Sequence, residues 1–135
     1  MEDTDNVDAV RRMWLAYARD GLNAILEFAA PDAEWLPYSA HGRSFPTTVA
    51  YAGYIAEMEE RRELVEATLG DLHAEGDCVV VSGRLRLRDP EGIRDQPMHW
   101  VHRFREGKIV FTASYPALEQ ALSAAGLGPE HRVAV

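Results

Sequence analysis

Residues Gln96 to Tyr115 read QPMHWVHRFREGKIVFTASY, with polar and apolar positions alternating on both sides of Glu106-Gly107. That pattern predicts two long strands joined by a tight turn. Side chains alternate between the faces of a strand, so Trp100, His102 and Phe104 share one face, and His99, Val101, Arg103 and Arg105 share the other. One face is thus aromatic with a single imidazole set in it. If it lines a cavity, His102 is the polar handle of an apolar site and the rest of the chain supplies walls.

Ahead of this hairpin, Leu64 to Ala74 and Cys78 to Arg88 also read as strands. The breaks at Glu75-Gly76-Asp77, at Asp89-Pro90-Glu91-Gly92 and at Glu106-Gly107 are short enough to join antiparallel neighbours, which predicts a meander. Val79, Val81, Gly83, Leu85 and Leu87 form an apolar face that turns inward, while Arg84, Arg86 and Arg88 make the opposite face basic at its far end.

The first half of the chain is helical. Val7, Val10, Trp14 and Tyr17 recur at steps of three and four, with Thr4, Asp5 or Asn6 available as N-cap. Asp20-Gly21 ends that helix, and Leu22, Ile25, Leu26 and Phe28 form a shorter amphipathic segment before Pro31. Ala33 to Tyr38 reads as a short strand, Ser39 to Thr48 as a loop, and Thr48 to Glu63 as a helix with Tyr51, Tyr54, Ile55 and Met58 on one face. Its Glu and Arg residues form a solvated face. After Pro116, Leu118, Ala121 and Leu122 mark a closing helix that runs out at Gly126, and Gly128 to Val135 carries no pattern. Helices followed by a long antiparallel sheet make an α+β domain over residues 1–127 with a tail over 128–135. A strongly twisted meander curls, so the expected shape is a cone-like α+β barrel, its curved sheet wrapped around three helices and an internal pocket.

Composition narrows the function. The chain has 135 residues, 47% of them hydrophobic, enough for one domain with a substantial core. A net charge of -8 disfavours nucleic acid as a partner. The acidic start MEDTDN is unlike a secretory signal and no apolar run is long enough to span a bilayer, so a cytoplasmic protein without membrane contact is expected. The lone Cys78 excludes an intrachain disulfide and reads as a small buried hydrophobe. His99 and His102 point to opposite faces and do not form a metal motif, and no phosphate loop, nucleophile elbow or nucleotide fingerprint is present, so neither metal nor cofactor is expected.

The chain resembles the SnoaL-like family of the nuclear transport factor 2-like superfamily. The residues that carry the resemblance are Phe28-Ala29-Ala30-Pro31-Asp32-Ala33-Glu34-Trp35, Trp100 to Ile109 around Arg105-Glu106-Gly107-Lys108-Ile109, Ser114-Tyr115, Leu118-Glu119-Gln120-Ala121-Leu122 and Ala124-Ala125-Gly126-Leu127. The resemblance implies the fold but not the reaction, because the superfamily hosts polyketide cyclases, steroid isomerases, dehydratases, epoxide hydrolases and proteins without chemistry. The carboxylate that steroid isomerases place at the end of the first strand corresponds here to Pro37, their helix tyrosine to Met13, and their second acid to Trp100. The Asp-Arg-Asp set of the epoxide hydrolases has no inward counterpart. Arginines that many relatives carry near Phe111 and Ala113 are missing, which implies a small apolar or aromatic guest, not an anionic one. The resemblance also implies a homodimer through the outer sheet face, where His99, Val101 and Arg103 would project, and a C-terminal helix near the mouth.

His102 is the first candidate for acid-base work, since an imidazole exchanges protons near neutral pH. Tyr17 could assist as a hydroxyl donor, as could Tyr38 or Tyr54. Trp14, Trp35, Tyr38, Tyr54, Met58, Trp100, Phe104 and Phe111 are the expected ligand-binding wall. His41 belongs to a possible rim, while His73 and His131 have no evident partner. Three readings stay open: a cofactor-free isomerase, cyclase or dehydratase acting on a small hydrophobic carbonyl compound; a non-catalytic binder of such a molecule; and an interaction module whose aromatics fill the core.

Overall fold

The computed structural model describes residues 2–38, 42–61 and 64–133; His41 of the expected rim lies outside them. Helix α1 spans Glu2–Asp20, a 3-10 helix Leu22–Phe28, strand β1 Ala29–Leu36 and helix α2 Thr48–Arg61. Strands β2 (Leu64–Glu75), β3 (Cys78–Asp89), β4 (Gly92–Arg105) and β5 (Lys108–Tyr115) follow, then α3 (Leu118–Ala125), a 3-10 turn (Pro129–His131) and β6 (Arg132–Val133). The six strands form one sheet in the order β1-β5-β4-β3-β2-β6. The meander from β2 to β5 is antiparallel, as its short turns require, whereas β1 returns to pair with β5 in parallel.

Helix α1 lies on the concave face. Val7, Val10, Met13 and Trp14 pack there against Leu72, Val79, Val81, Phe104 and Ile109. The helix starts ahead of the expected caps, and Asn6 instead donates its side-chain amide to the Gly76 carbonyl at 3.2 Å, tying the helix to the β2–β3 turn. A second cluster unites Ala33 and Trp35 of β1 with Phe45, Tyr54 and Met58. The Trp35 indole donates to Thr48 Oγ1 at 3.2 Å, and that hydroxyl donates to the Ala30 carbonyl at 2.6 Å, fastening the start of α2 to β1.

Four expectations need correction. Strand β1 begins at Ala29 and runs through Pro31, which an edge strand tolerates because one side of its backbone needs no partner. Strand β4 begins at Gly92, since the Pro90-Glu91 turn alone suffices to reverse the chain. Helix α3 does not stand at the mouth: Ala121, Leu122 and Ala125 cover Cys78, Val80 and Val101 on the convex face. Val101 is therefore buried within the chain and Arg103 donates to the Ala124 carbonyl at 3.1 Å, so both serve α3 where a partner's surface was expected. Finally, the C-terminal residues without a sequence pattern do take up structure, β6 pairing with β2 through Leu72 and His73.

The Glu106-Gly107 turn has φ of 52° and 80°, the doubly positive conformation of a two-residue hairpin. Just beyond it the β4–β5 register slips: Arg103 faces Phe111 while Phe104 faces Ile109, which leaves Val110 without a counterpart. This one-residue bulge reverses the parity of the rest of β5. Thr112 and Ser114 consequently face the concave side opposite His102 and Trp100, and Phe111 and Ala113 face outward.

Candidate functional site

Between α1, α2, β1 and the concave sheet lies a cavity of about 80 Å³. By this measure one water needs ~10–15 Å³, while ligand pockets commonly reach ~300 Å³ or more. The aromatics therefore fill much of the interior without closing it. Trp14 and Tyr17 supply one wall, Trp35, Tyr51 and Met58 another, and Trp100, His102 and Thr112 the sheet side. Trp14 meets Trp100 edge-on at 5.1 Å, and Trp35 stacks on Tyr51 at 4.2 Å with the rings 9° apart. Both arrangements are ones that aromatic quadrupoles favour.

His102 is 3% exposed. Its Nδ1 is 2.9 Å from the Thr112 hydroxyl, which fixes the ring, and its Nε2 is buried without a partner among the described residues. A second buried nitrogen on the cavity wall, the indole Nε1 of Trp14, also lacks one. An unpaired buried polar atom costs ~1–3 kcal/mol, a loss that a suitable guest can recover. Burial alone pulls the His102 pKa from 6.5 to about 4, so the imidazole is neutral near pH 7. The ring then presents an N–H donor at Nε2 when Thr112 donates to Nδ1, and an acceptor there when Thr112 accepts.

That shift couples pH to stability. The unfolded chain takes up the His102 proton near pH 6.5 and the folded chain only near 4, so stability is complete above 6.5 and falls as pH drops through this window. The loss reaches about 3 kcal/mol below pH 4. His73 and His99, both lowered mainly by burial, act in the same direction. Urea unfolding at pH 5 and pH 7 is expected to show a smaller pH difference in His102→Leu than in the parent. An unchanged difference would mean that His102 is not a buried neutral group. The packing change of the variant adds a pH-independent offset and leaves this comparison intact.

Of the expected wall residues, Trp14, Trp35, Met58 and Trp100 line the cavity. Tyr17 does too, but its hydroxyl oxygen accepts the Ala67 N–H at 3.1 Å, pinning α1 to β2. Phe104 lies below His102 in the apolar cluster under α1. Tyr54 is displaced from the cavity by Tyr51 one helical turn away, and packs on Phe45 at 4.9 Å with the Arg43 guanidinium over both rings. Tyr38 is outside, 46% exposed, its backbone N–H bonded to Ser114 Oγ at 2.7 Å. Phe111 faces the convex side because of the Val110 bulge. The sequence reading missed Tyr51, Thr112 and Ser114 as lining residues; burial holds the Tyr51 phenol well above its ordinary range and hence protonated. Among the described residues no three His, Cys, Asp or Glu side chains are grouped to hold a metal ion, and no helix is long and apolar enough to cross a membrane.

Comparison with known proteins agrees with this fold. The family model of the SnoaL-like domain matches residues 10–112. No curated protein matches the chain in sequence. Among solved structures, an NTF2-like protein of unknown function from Burkholderia pseudomallei K96243 is 21% identical with a TM-score of 0.69, over 88% of this chain and 95% of that one. A protein from Jannaschia sp. CCS1, assigned as a SnoaL-like polyketide cyclase, is 22% identical with a TM-score of 0.70, over 95% and 96% of the two chains. A protein with a ketosteroid isomerase-like fold from Catenulispora acidiphila DSM 44928, in complex with trimethylamine, is 20% identical with a TM-score of 0.63, over 90% and 95%. At these identities the likeness is one of fold.

Proposed function

The chain belongs to the SnoaL-like domain family, and on that premise we propose that it binds a small hydrophobic carbonyl compound in the aromatic cavity, with His102 as the polar contact. The observation that carries this reading is the unpartnered, buried Nε2 of His102 in a cavity otherwise walled by aromatic and aliphatic groups. A carbonyl oxygen there would accept from a neutral imidazole, and the apolar body of the guest would rest on Trp14, Trp35 and Trp100. Trimethylamine in a relative of the same fold is a precedent for a small organic guest.

A second reading, cofactor-free isomerisation, cyclisation or dehydration of such a compound, is favoured by one feature: the Thr112 hydroxyl orients the ring so that Nε2 alone is left for a guest. Among the described residues no carboxylate lines the cavity, and Pro37 and Trp100 stand on its wall. His102 would therefore have to carry the proton transfer, as a neutral imidazole that polarises a carbonyl or as a weak base.

Melting curves against steroids, aromatic polyketides, terpenoids and fatty acids test the binding reading, because a ligand selective for the folded chain raises Tm by mass action. His102→Leu, close in volume and unable to hydrogen-bond, is expected to weaken a carbonyl hit about tenfold. Were the hit an enzyme substrate, its turnover would vanish in that variant. Equal affinity in parent and variant would remove His102 from the site. The homodimer is proposed on the part of the convex face that α3 leaves uncovered, beside His99, and sedimentation velocity reads it directly.

A further inference from the structure

Among the described residues, three buried side-chain nitrogens have no hydrogen-bond partner: Nε1 of Trp14, Nδ1 of His73 and Nε2 of His102. His73 is on the convex register of β2, opposite Val80, which helix α3 covers. The other two nitrogens belong to residues that line one and the same cavity. Folds satisfy nearly all of their buried donors and acceptors, so two orphans on one enclosed space mark a place where a second molecule completes the bonding. Trp14 reaches that space from α1 and His102 from β4, so they stand on opposing walls, helix against sheet.

Three of the hydroxyls around them are already engaged. Thr112 is bonded to His102 Nδ1 at 2.9 Å, Ser114 Oγ accepts the Tyr38 N–H at 2.7 Å, and the Tyr17 oxygen accepts the Ala67 N–H at 3.1 Å. The two free nitrogens make different demands on a guest. An indole N–H only donates, so Trp14 calls for an acceptor, whereas the neutral imidazole serves the carbonyl of the reading above. Trp14 meets Trp100 and Tyr17 edge-on, at 5.1 and 5.7 Å, so its ring is held in place before a guest arrives. The space itself, about 80 Å³ where ligand pockets commonly reach ~300 Å³ or more, suits one ring and not a fused system.

We infer that the guest is a one-ring compound with two oxygen functions at separate positions, a carbonyl bonded to His102 Nε2 and a second acceptor bonded to Trp14 Nε1. This rests on the pocket reading above and narrows it to a class, diketones and keto-ethers. Trp14 thereby determines specificity. It rejects a mono-ketone of the same size because the indole N–H would stay buried and unpaired.

Two pairs of probes test this: cyclohexane-1,4-dione against 4-methylcyclohexanone, and 3-methoxycyclohexanone against 3-ethylcyclohexanone. The members of each pair match in size and differ in the second oxygen. Titration of ¹⁵N-labelled protein reads both the affinity and the Trp14 indole resonance. The better two-oxygen probe is expected to move the Trp14 indole proton downfield, as entry into a hydrogen bond does, and its one-oxygen control to move it far less. The affinity ratio within that pair should fall about tenfold in Trp14→Phe, which keeps an aromatic ring and loses the N–H. Taking the ratio cancels the change in packing. A Trp14 resonance indifferent to both two-oxygen probes while ketones still bind, or a ratio unchanged in the variant, would overturn the inference and leave the pocket reading standing. Binding of none of the four would count against both.

Discussion

Gly83→Ala is expected to destabilise the protein by about 4 kcal/mol, a fall in Tm of roughly 15 °C. Gly83 sits where β3 passes the irregular stretch of β2 between Leu69 and Leu72. A Cβ there would overlap the Thr68 carbonyl oxygen and press on the Trp100 ring at 3.3 Å. The first obstacle is backbone, so no rotamer change relieves it, and the two strands must part next to the cavity wall. Overpacking that side chains can absorb costs ~1–3 kcal/mol, and this case exceeds it. At Gly70, on the facing strand, a Cβ would come 2.8 Å from the Ser82 carbonyl oxygen, so the contact is tight from both sides. Denaturant unfolding of Gly83→Ala measures the effect, and a loss under about 1 kcal/mol would show that β2 and β3 are not in this close approach.

Trp35→Ala should cost a similar amount, about 4 kcal/mol, for a different reason. Trp35 is only 2% exposed, and it joins three things at once: the stack on Tyr51, the hydrogen bond to Thr48, and the pairing of β1 with Phe45 through backbone bonds of 2.8 and 2.9 Å. Removing the ring enlarges the cavity and leaves the Thr48 hydroxyl without its donor. Trp35→Phe keeps a stacking ring and loses the N–H, so it should recover more than half of the stability. If the alanine and phenylalanine variants were equally stable, the stack on Tyr51 would contribute nothing and α2 would be held by other contacts.

These two sites also show what the sequence made legible. The alternation around His102, the short polar turns of the meander and the 3.6-residue period of α1 are local patterns, and local patterns survive into the fold. Trp35 was recognisable as an inward aromatic because it alternates with Glu34 and Leu36. What stayed hidden was set by long-range geometry. The extra residue at Val110 is one valine in an apolar strand, and nothing in its chemistry announces a bulge, yet it exchanges Phe111 for Thr112 on the cavity wall. Tyr51 and Tyr54 share a helical face, and only the position of Phe45 and Arg43 decides which of them the cavity receives. Helix α3 has an apolar face whose destination, concave or convex, depends on the chain's path after Tyr115.

Function follows from this division. The family fixes a curved sheet enclosing a space, and this chain fills that space with aromatics and leaves a neutral imidazole whose outer nitrogen has no partner among the described residues. Cys78 conforms to the same logic of burial, its thiol pushed up to about 11 under α3 and so a poor nucleophile at neutral pH.

The most direct test is the imidazole ¹⁵N spectrum of His102, recorded across pH and with phenylbutanamide as guest. The account predicts a neutral ring at pH 7 in one tautomer, protonation near pH 4, and an Nε2 resonance that moves on adding the guest while Nδ1, held by Thr112, stays in place. Protonation near the ordinary 6.5, or an Nε2 resonance indifferent to saturating guest, would contradict it.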